Sequence, residues 1–121
     1  MESIRTLVIG ASEKMERYSN KAIRKLLHYG HEVVPLAARN GEVKGLPFKT
    51  GFPDLENVHT ITLYIGPQRQ KPYYDYILKL NPQRIIFNPG TENEELMKLT
   101  AKQGIKNITA CTLVMLDRGI F

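Results

Sequence analysis

Short apolar runs alternate with stretches of helical spacing along the chain, and this alternation predicts its elements. Residues Ile4 to Ile9 end in a β-branched pair and stop at Gly10, which reads as a buried strand followed by a turn. From Asn20 to Tyr29 the positions Ile23, Leu26 and Leu27 fall on one helical face. Ser19 is placed to cap the start of that helix, and Gly30 suits the left-handed position after its end. Glu32 to Leu36 reads as a second strand whose Pro35 marks its end, because proline cannot donate to a sheet ladder. Asn40-Gly41 and Gly45-Leu46-Pro47 punctuate the loop that follows, and Pro53-Asp54-Leu55 is compatible with one helical turn. Thr60 to Ile65 predicts a third strand, halted at Gly66-Pro67. A helix beginning near Pro72 then buries Tyr73, Ile77 and Leu80 before Asn81-Pro82 ends it. Arg84 to Asn88 is a fourth strand, and Thr91 with Glu94 forms the pattern of a capping box for a helix that turns Leu96 and Leu99 inward and stops at Gly104. A fifth strand covers Ile108 to Cys111.

Strands alternating with helices specify right-handed parallel crossovers, and continuous apolar runs mean that both sheet faces are covered. The expected fold is α/β: a Rossmann-like, doubly wound, mainly parallel five-stranded sheet in three layers, formed by residues 1–121 as a single domain. Ligands of such sheets bind beyond the carboxyl ends of the strands, where strand order reverses. Four loops should therefore face a ligand: Gly10 to Tyr18, Pro35 to Asn40, Gly66 to Arg69, and Asn88 to Thr91.

Charge alters this picture only where it is dense. The net charge of +5 is compatible with an anionic small molecule, nucleic acid or plain solubility, and only Lys14, Arg17, Lys21, Arg24 and Lys25 crowd one segment. The lone cysteine, Cys111, excludes an internal disulfide, and no long apolar stretch predicts a signal or a membrane span. A cytoplasmic setting is expected.

Gly10-Ala11-Ser12 follows the first strand, where glycine lets a phosphate approach the backbone and the next amides can point at its oxygens. The same three residues also suit an ordinary strand-to-helix turn. A dinucleotide G-x-G-x-x-G fingerprint would need glycines where Ser12 and Met15 stand, which counts against NAD. After the second strand, where an acidic side chain would ordinarily take the adenosine ribose, Leu36-Ala37-Ala38-Arg39 offers a base, suited to a phosphorylated ribose such as that of coenzyme A or NADP. His28, His31 and His59 show neither metal-ligand nor nucleophile-base spacing. Cys111 reads as a buried small hydrophobe, Tyr73, Tyr74 and Tyr76 as packing groups, and Asp117-Arg118 as a surface pair.

The chain resembles the small bacterial coenzyme A-binding proteins related to the N-terminal domain of the succinyl-CoA synthetase α subunit. Thr6-Leu7-Val8-Ile9-Gly10-Ala11-Ser12 is similar to their first strand and phosphate loop, and Lys14-Met15-Glu16-Arg17-Tyr18-Ser19 to their K-x-x-R-x-S stretch. Val34-Pro35 with Arg39 is similar to their second-strand segment, and Asn93-Glu94-Glu95 to the start of a later helix. The resemblance implies coenzyme A or an acyl-CoA held by Gly10, Ala11, Ser12, Arg17 and Ser19, with Arg39 near the adenosine phosphate and Gly66-Pro67 beside the adenine or pantetheine; Lys14 and Pro35, in the similar segments, are expected among the binding residues. The expected role is that of a sensor, carrier or regulatory protein, with no catalytic or metal-binding residue expected. Where relatives carry D-x-F-R this chain has Thr62-Leu63-Tyr64-Ile65, and D-R-C becomes Thr109-Ala110-Cys111. The alternatives are an NADP-binding oxidoreductase-like domain and a basic nucleic-acid-associated domain.

Overall fold

A computed structural model describes residues 2–121. Its main sheet runs β1 (Thr6–Ile9), β2 (Val33–Leu36), β5 (Thr60–Leu63), β6 (Arg84–Phe87) and β7 (Lys106–Thr109), while β3 (Glu42–Val43) and β4 (Leu46–Pro47) form a small hairpin. The five strands are all parallel in the spatial order β2-β1-β5-β6-β7, as the alternation of elements requires. Strand order reverses between β1 and β5. Every residue of β1, β2 and β5 is buried, so these strands have no solvent face.

The sheet's two faces are covered separately. Leu7 and Ile9 of β1 point to one side with Ile61, Leu63, Ile85 and Phe87, where Ile77 of α3 (Tyr74–Leu80) and Leu96 of α4 (Glu94–Lys102) close the core. Val8 points to the other side, against Ile23 and Leu26 of α1 (Tyr18–His28) and Leu116 of α5 (Thr112–Asp117). This is the period of two in a strand meeting helices on both sides.

Several local expectations are corrected. α1 begins at Tyr18 with Arg17 as its N-cap and no side-chain cap, so Ser19 lies inside the first turn rather than capping it. Pro35 does not end β2: it sits within this edge strand, where its carbonyl accepts from Lys49 and its missing N–H faces away from β1. The Pro53–Leu55 segment is not helical. Helical structure resumes earlier than Pro72, in α2 (Pro67–Gln70), because Pro67 occupies a first-turn position that needs no N–H; a 3₁₀ turn (Lys71–Tyr73) then leads into α3. Thr91 and Glu94 form no capping box. Asn93 is the N-cap and accepts from the Leu96 amide, whereas buried Thr91 turns its hydroxyl onto the Asn88 carbonyl. The last strand lies at 106–109, and Cys111, half-buried, stands before α5, a helix that sequence periodicity was too short to reveal.

Candidate functional site

The loops after β1, β2, β5 and β6 surround a cavity of about 580 Å³ at the carboxyl edge of the sheet, across the point where strand order reverses. Gly10 stands at its base with φ +101°, and a Cβ there would meet Ile65 Cγ2 at 2.9 Å and the Tyr64 carbonyl at 3.1 Å. Glycine is therefore demanded twice, by backbone angle and by the close approach of the β5 loop.

Polar fastenings hold the first loop. Asn20, buried in α1, donates to the Ser12 carbonyl at 2.9 Å and accepts from Arg24 Nε at 2.7 Å, and Arg24 also donates to the Met15 carbonyl. The Lys14 amide donates to Ser12 Oγ at 3.2 Å. The amide of Ala11 does not face the cavity as a phosphate donor, because it bonds to the Leu36 carbonyl at 3.0 Å together with that of Gly10. Among the described residues, the amides of Ser12, Tyr18, Ser19 and Asn20 have no acceptor. The last three are the first-turn donors of α1, where uncapped N–H groups and the helix dipole favour an anion.

Of the residues expected at a site, Gly10, Ala11, Ser12, Lys14, Arg17, Ser19 and Arg39 all line the cavity. Pro35, Gly66 and Pro67 do not: Pro35 is buried in β2 and Gly66-Pro67 open α2 outside the wall. Arg69 was not singled out by sequence reasoning, yet α2 carries it to the wall, so that Lys14, Arg17, Arg39 and Arg69 surround one space. Its place in a loop expected to face the ligand was the signal available. Met15 turns into solvent, 64% exposed, and does not obstruct the cavity.

Buried amides set the opposite wall. Gln70, fully buried, donates from Nε2 to the carbonyls of Ile65 and Thr91, both wall residues, and its Oε1 accepts from Asn93. Asn88 joins β5 to β6 by donating to Thr62 Oγ1 and the Leu63 carbonyl, and its Oδ1 accepts from the Thr112 amide. Thr62, at the first position of the altered D-x-F-R segment, thus belongs to a neutral buried network that includes Thr112 at 2.8 Å. Ile65, at the last, is apolar packing for Gly10. Tyr64 between them also lines the cavity, and burial pushes its phenol up to about 12, so it stays protonated near neutrality.

The basic segment around α1 divides in two. Arg24 is held by Asn20, and Lys25 pairs with Asp117 at 2.7 Å, while Lys14 and Arg17 face the cavity. Asp117, expected to pair with Arg118, is engaged by Lys25 and Tyr29 instead. Among the described residues no group of three or more His, Cys, Asp or Glu is placed to hold a metal ion, and no helix is long and apolar enough to cross a membrane.

A family model described as "CoA binding domain" matches residues 5–117. The crystal structure of an uncharacterized protein superposes with TM-score 0.97 at 45% identity, each chain covered over 100% of its length. A hypothetical protein from Pyrococcus horikoshii OT3 gives TM-score 0.84 at 23% identity, over 93% of this chain and 81% of its own. A dinucleotide-forming acetyl-coenzyme A synthetase 1 from Ca. Korarchaeum cryptofilum, solved with phosphate and ADP, shares the fold with TM-score 0.69 at 20% identity, over 88% of this chain but 25% of its own. No curated protein matches the sequence.

Proposed function

Because the chain belongs to the CoA binding domain family, we propose that it holds coenzyme A or an acyl-CoA in the cavity at the carboxyl edge of its sheet, as a sensor, carrier or regulatory protein. The observation that carries this reading is the gathering of Lys14, Arg17, Arg39 and Arg69 around one cavity that the uncapped start of α1 also lines. Free amides there suit a phosphate ester, and the four cations balance a ligand with several phosphates. The Ser12 amide and the first turn of α1 would take the pyrophosphate with Lys14 and Arg17. Arg39, beyond β2, would take the ribose phosphate. The apolar wall formed by Phe48, Tyr64 and Ile65 offers a surface for the adenine or pantetheine in place of Gly66-Pro67.

Calorimetry with coenzyme A, dephospho-coenzyme A and NADP tests this directly. Coenzyme A should bind more tightly than its dephospho form by about 1.5–3 kcal/mol, one charge-assisted contact, and Arg39→Ala should remove most of that difference. Tight NADP binding without coenzyme A binding would overturn the reading, and equal affinity for the two coenzyme A forms would remove Arg39 from it.

A further inference from the structure

Glu13 brings a carboxylate into a cavity whose other charged lining residues are the cations Lys14, Arg17, Arg39 and Arg69. It comes from the first loop, lies across Gly41 and accepts the amide of Glu42 through Oε2 at 3.1 Å. A Cβ at Gly41 would meet Glu13 Cδ at 2.8 Å and Cγ at 2.9 Å, so the absence of a side chain there lets the carboxylate lie flat against the chain just beyond Arg39. Oε2 is thereby oriented, and Oε1 has no partner among the described residues. In a doubly wound sheet the acidic group that accepts ribose hydroxyls stands at the end of the second strand, where this chain carries Ala37-Ala38-Arg39 instead. Tertiary structure returns a carboxylate to that neighbourhood from another loop.

We propose that Glu13 reads the ribose: its free carboxylate oxygen accepts the adenosine 2′-hydroxyl and repels a phosphate at that position, while neighbouring Arg39 accommodates a 3′-phosphate. This rests on the coenzyme A reading above and makes Glu13 a specificity residue, selecting 3′-phosphorylated over 2′-phosphorylated adenosine ligands. A hydroxyl donates to a carboxylate, whereas a phosphate offers it only like charge. Like charges about 4 Å apart, even screened as in bulk water, change an affinity by a factor of about five.

The test uses adenosine 3′,5′-bisphosphate and adenosine 2′,5′-bisphosphate as competitors of coenzyme A on the full chain. The two carry the same charge, so their affinity ratio cancels the overall field of the protein and reports only where the phosphate sits. The native protein should prefer the 3′ isomer by about fivefold or more, and Glu13→Gln, whose amide oxygen can still accept from Glu42, should collapse the ratio by raising affinity for the 2′ isomer. Gly41→Ala, which displaces the carboxylate without discharging it, should lower the ratio as well. Coenzyme A binding with an unchanged ratio in Glu13→Gln, or with no competition by either isomer at millimolar concentration, would overturn the role of Glu13 alone. Failure of the native protein to bind coenzyme A would overturn the reading on which it rests.

Discussion

The two edges of the sheet both gather basic residues and treat them in opposite ways. At the carboxyl edge Lys14, Arg17, Arg39 and Arg69 stay exposed around an open space, beside helix amides that lack acceptors. At the amino edge Arg84 is half-buried, bonds Thr60 Oγ1 at 2.7 Å and lies 4.6 Å from the centre of the Phe121 ring. The same Phe121 packs on His31, whose Nδ1 accepts the Ile4 amide at 3.0 Å, and His59 shares Thr60 Oγ1 at 2.7 Å. Arg5 is matched to Glu32 beside them. One edge has cations without acidic partners among the described residues and room for an anion; the other has cations closed in by aromatic, hydroxyl and carboxylate groups. Net charge therefore says little about function until topology assigns each charge to an edge.

The largest effect should come from Gly10→Ala. It forces a side chain into a positive-φ position and into Ile65 and the Tyr64 backbone, so a loss of about 2–4 kcal/mol is expected in urea denaturation, with ligand binding abolished. Native-like stability would mean that the β1 and β5 loops separate easily and that the cavity is not rigidly built.

Arg17→Ala should act on the carboxyl edge alone, weakening coenzyme A by about 1.5–3 kcal/mol in calorimetry while leaving the urea midpoint nearly unchanged. An equal loss of stability would show that Arg17 supports the fold as Arg84 does.

The amino edge should respond to acid. Burial first, and the Arg84 charge second, hold both His31 and His59 below the usual histidine value. The unfolded chain then binds more protons than the folded one as pH falls through about 6.5, so stability present above that pH is lost below it. Each histidine contributes at most about 1.4 kcal/mol per pH unit, less where solvent reaches the ring. Urea midpoints at pH 8 and pH 5.5 should differ, and His31→Gln should reduce the difference. Equal midpoints in the native protein would mean that neither ring is held neutral.

Asp117→Asn should give the smallest change. The Lys25 hydrogen bond is the main reason its carboxyl lies below the usual range, but the side chain is exposed to solvent. Only a slight lowering of the melting temperature is expected, vanishing in high salt.

The sequence by itself determined the layered α/β plan. Apolar runs such as Leu7-Val8-Ile9 and Ile85-Ile86-Phe87 state their own burial, and their alternation with helical spacing leaves few ways to connect a parallel sheet. It also placed Gly10, Ser12, Arg17 and Arg39 in loops at one edge, because connectivity alone assigns loops to edges. Local competition was less legible. Ser19 and Thr91 have capping chemistry, but a cap is decided by which residue the chain leaves extended, and packing gave those positions to Arg17 and Asn93. Only the tertiary structure showed that the Ala11 amide is occupied by Leu36, that Arg69 reaches the wall, and that Glu13 lies beside Gly41. These facts depend on contacts between segments distant in sequence, whose geometry periodicity does not encode because each element fixes its own repeat and not its neighbour's position.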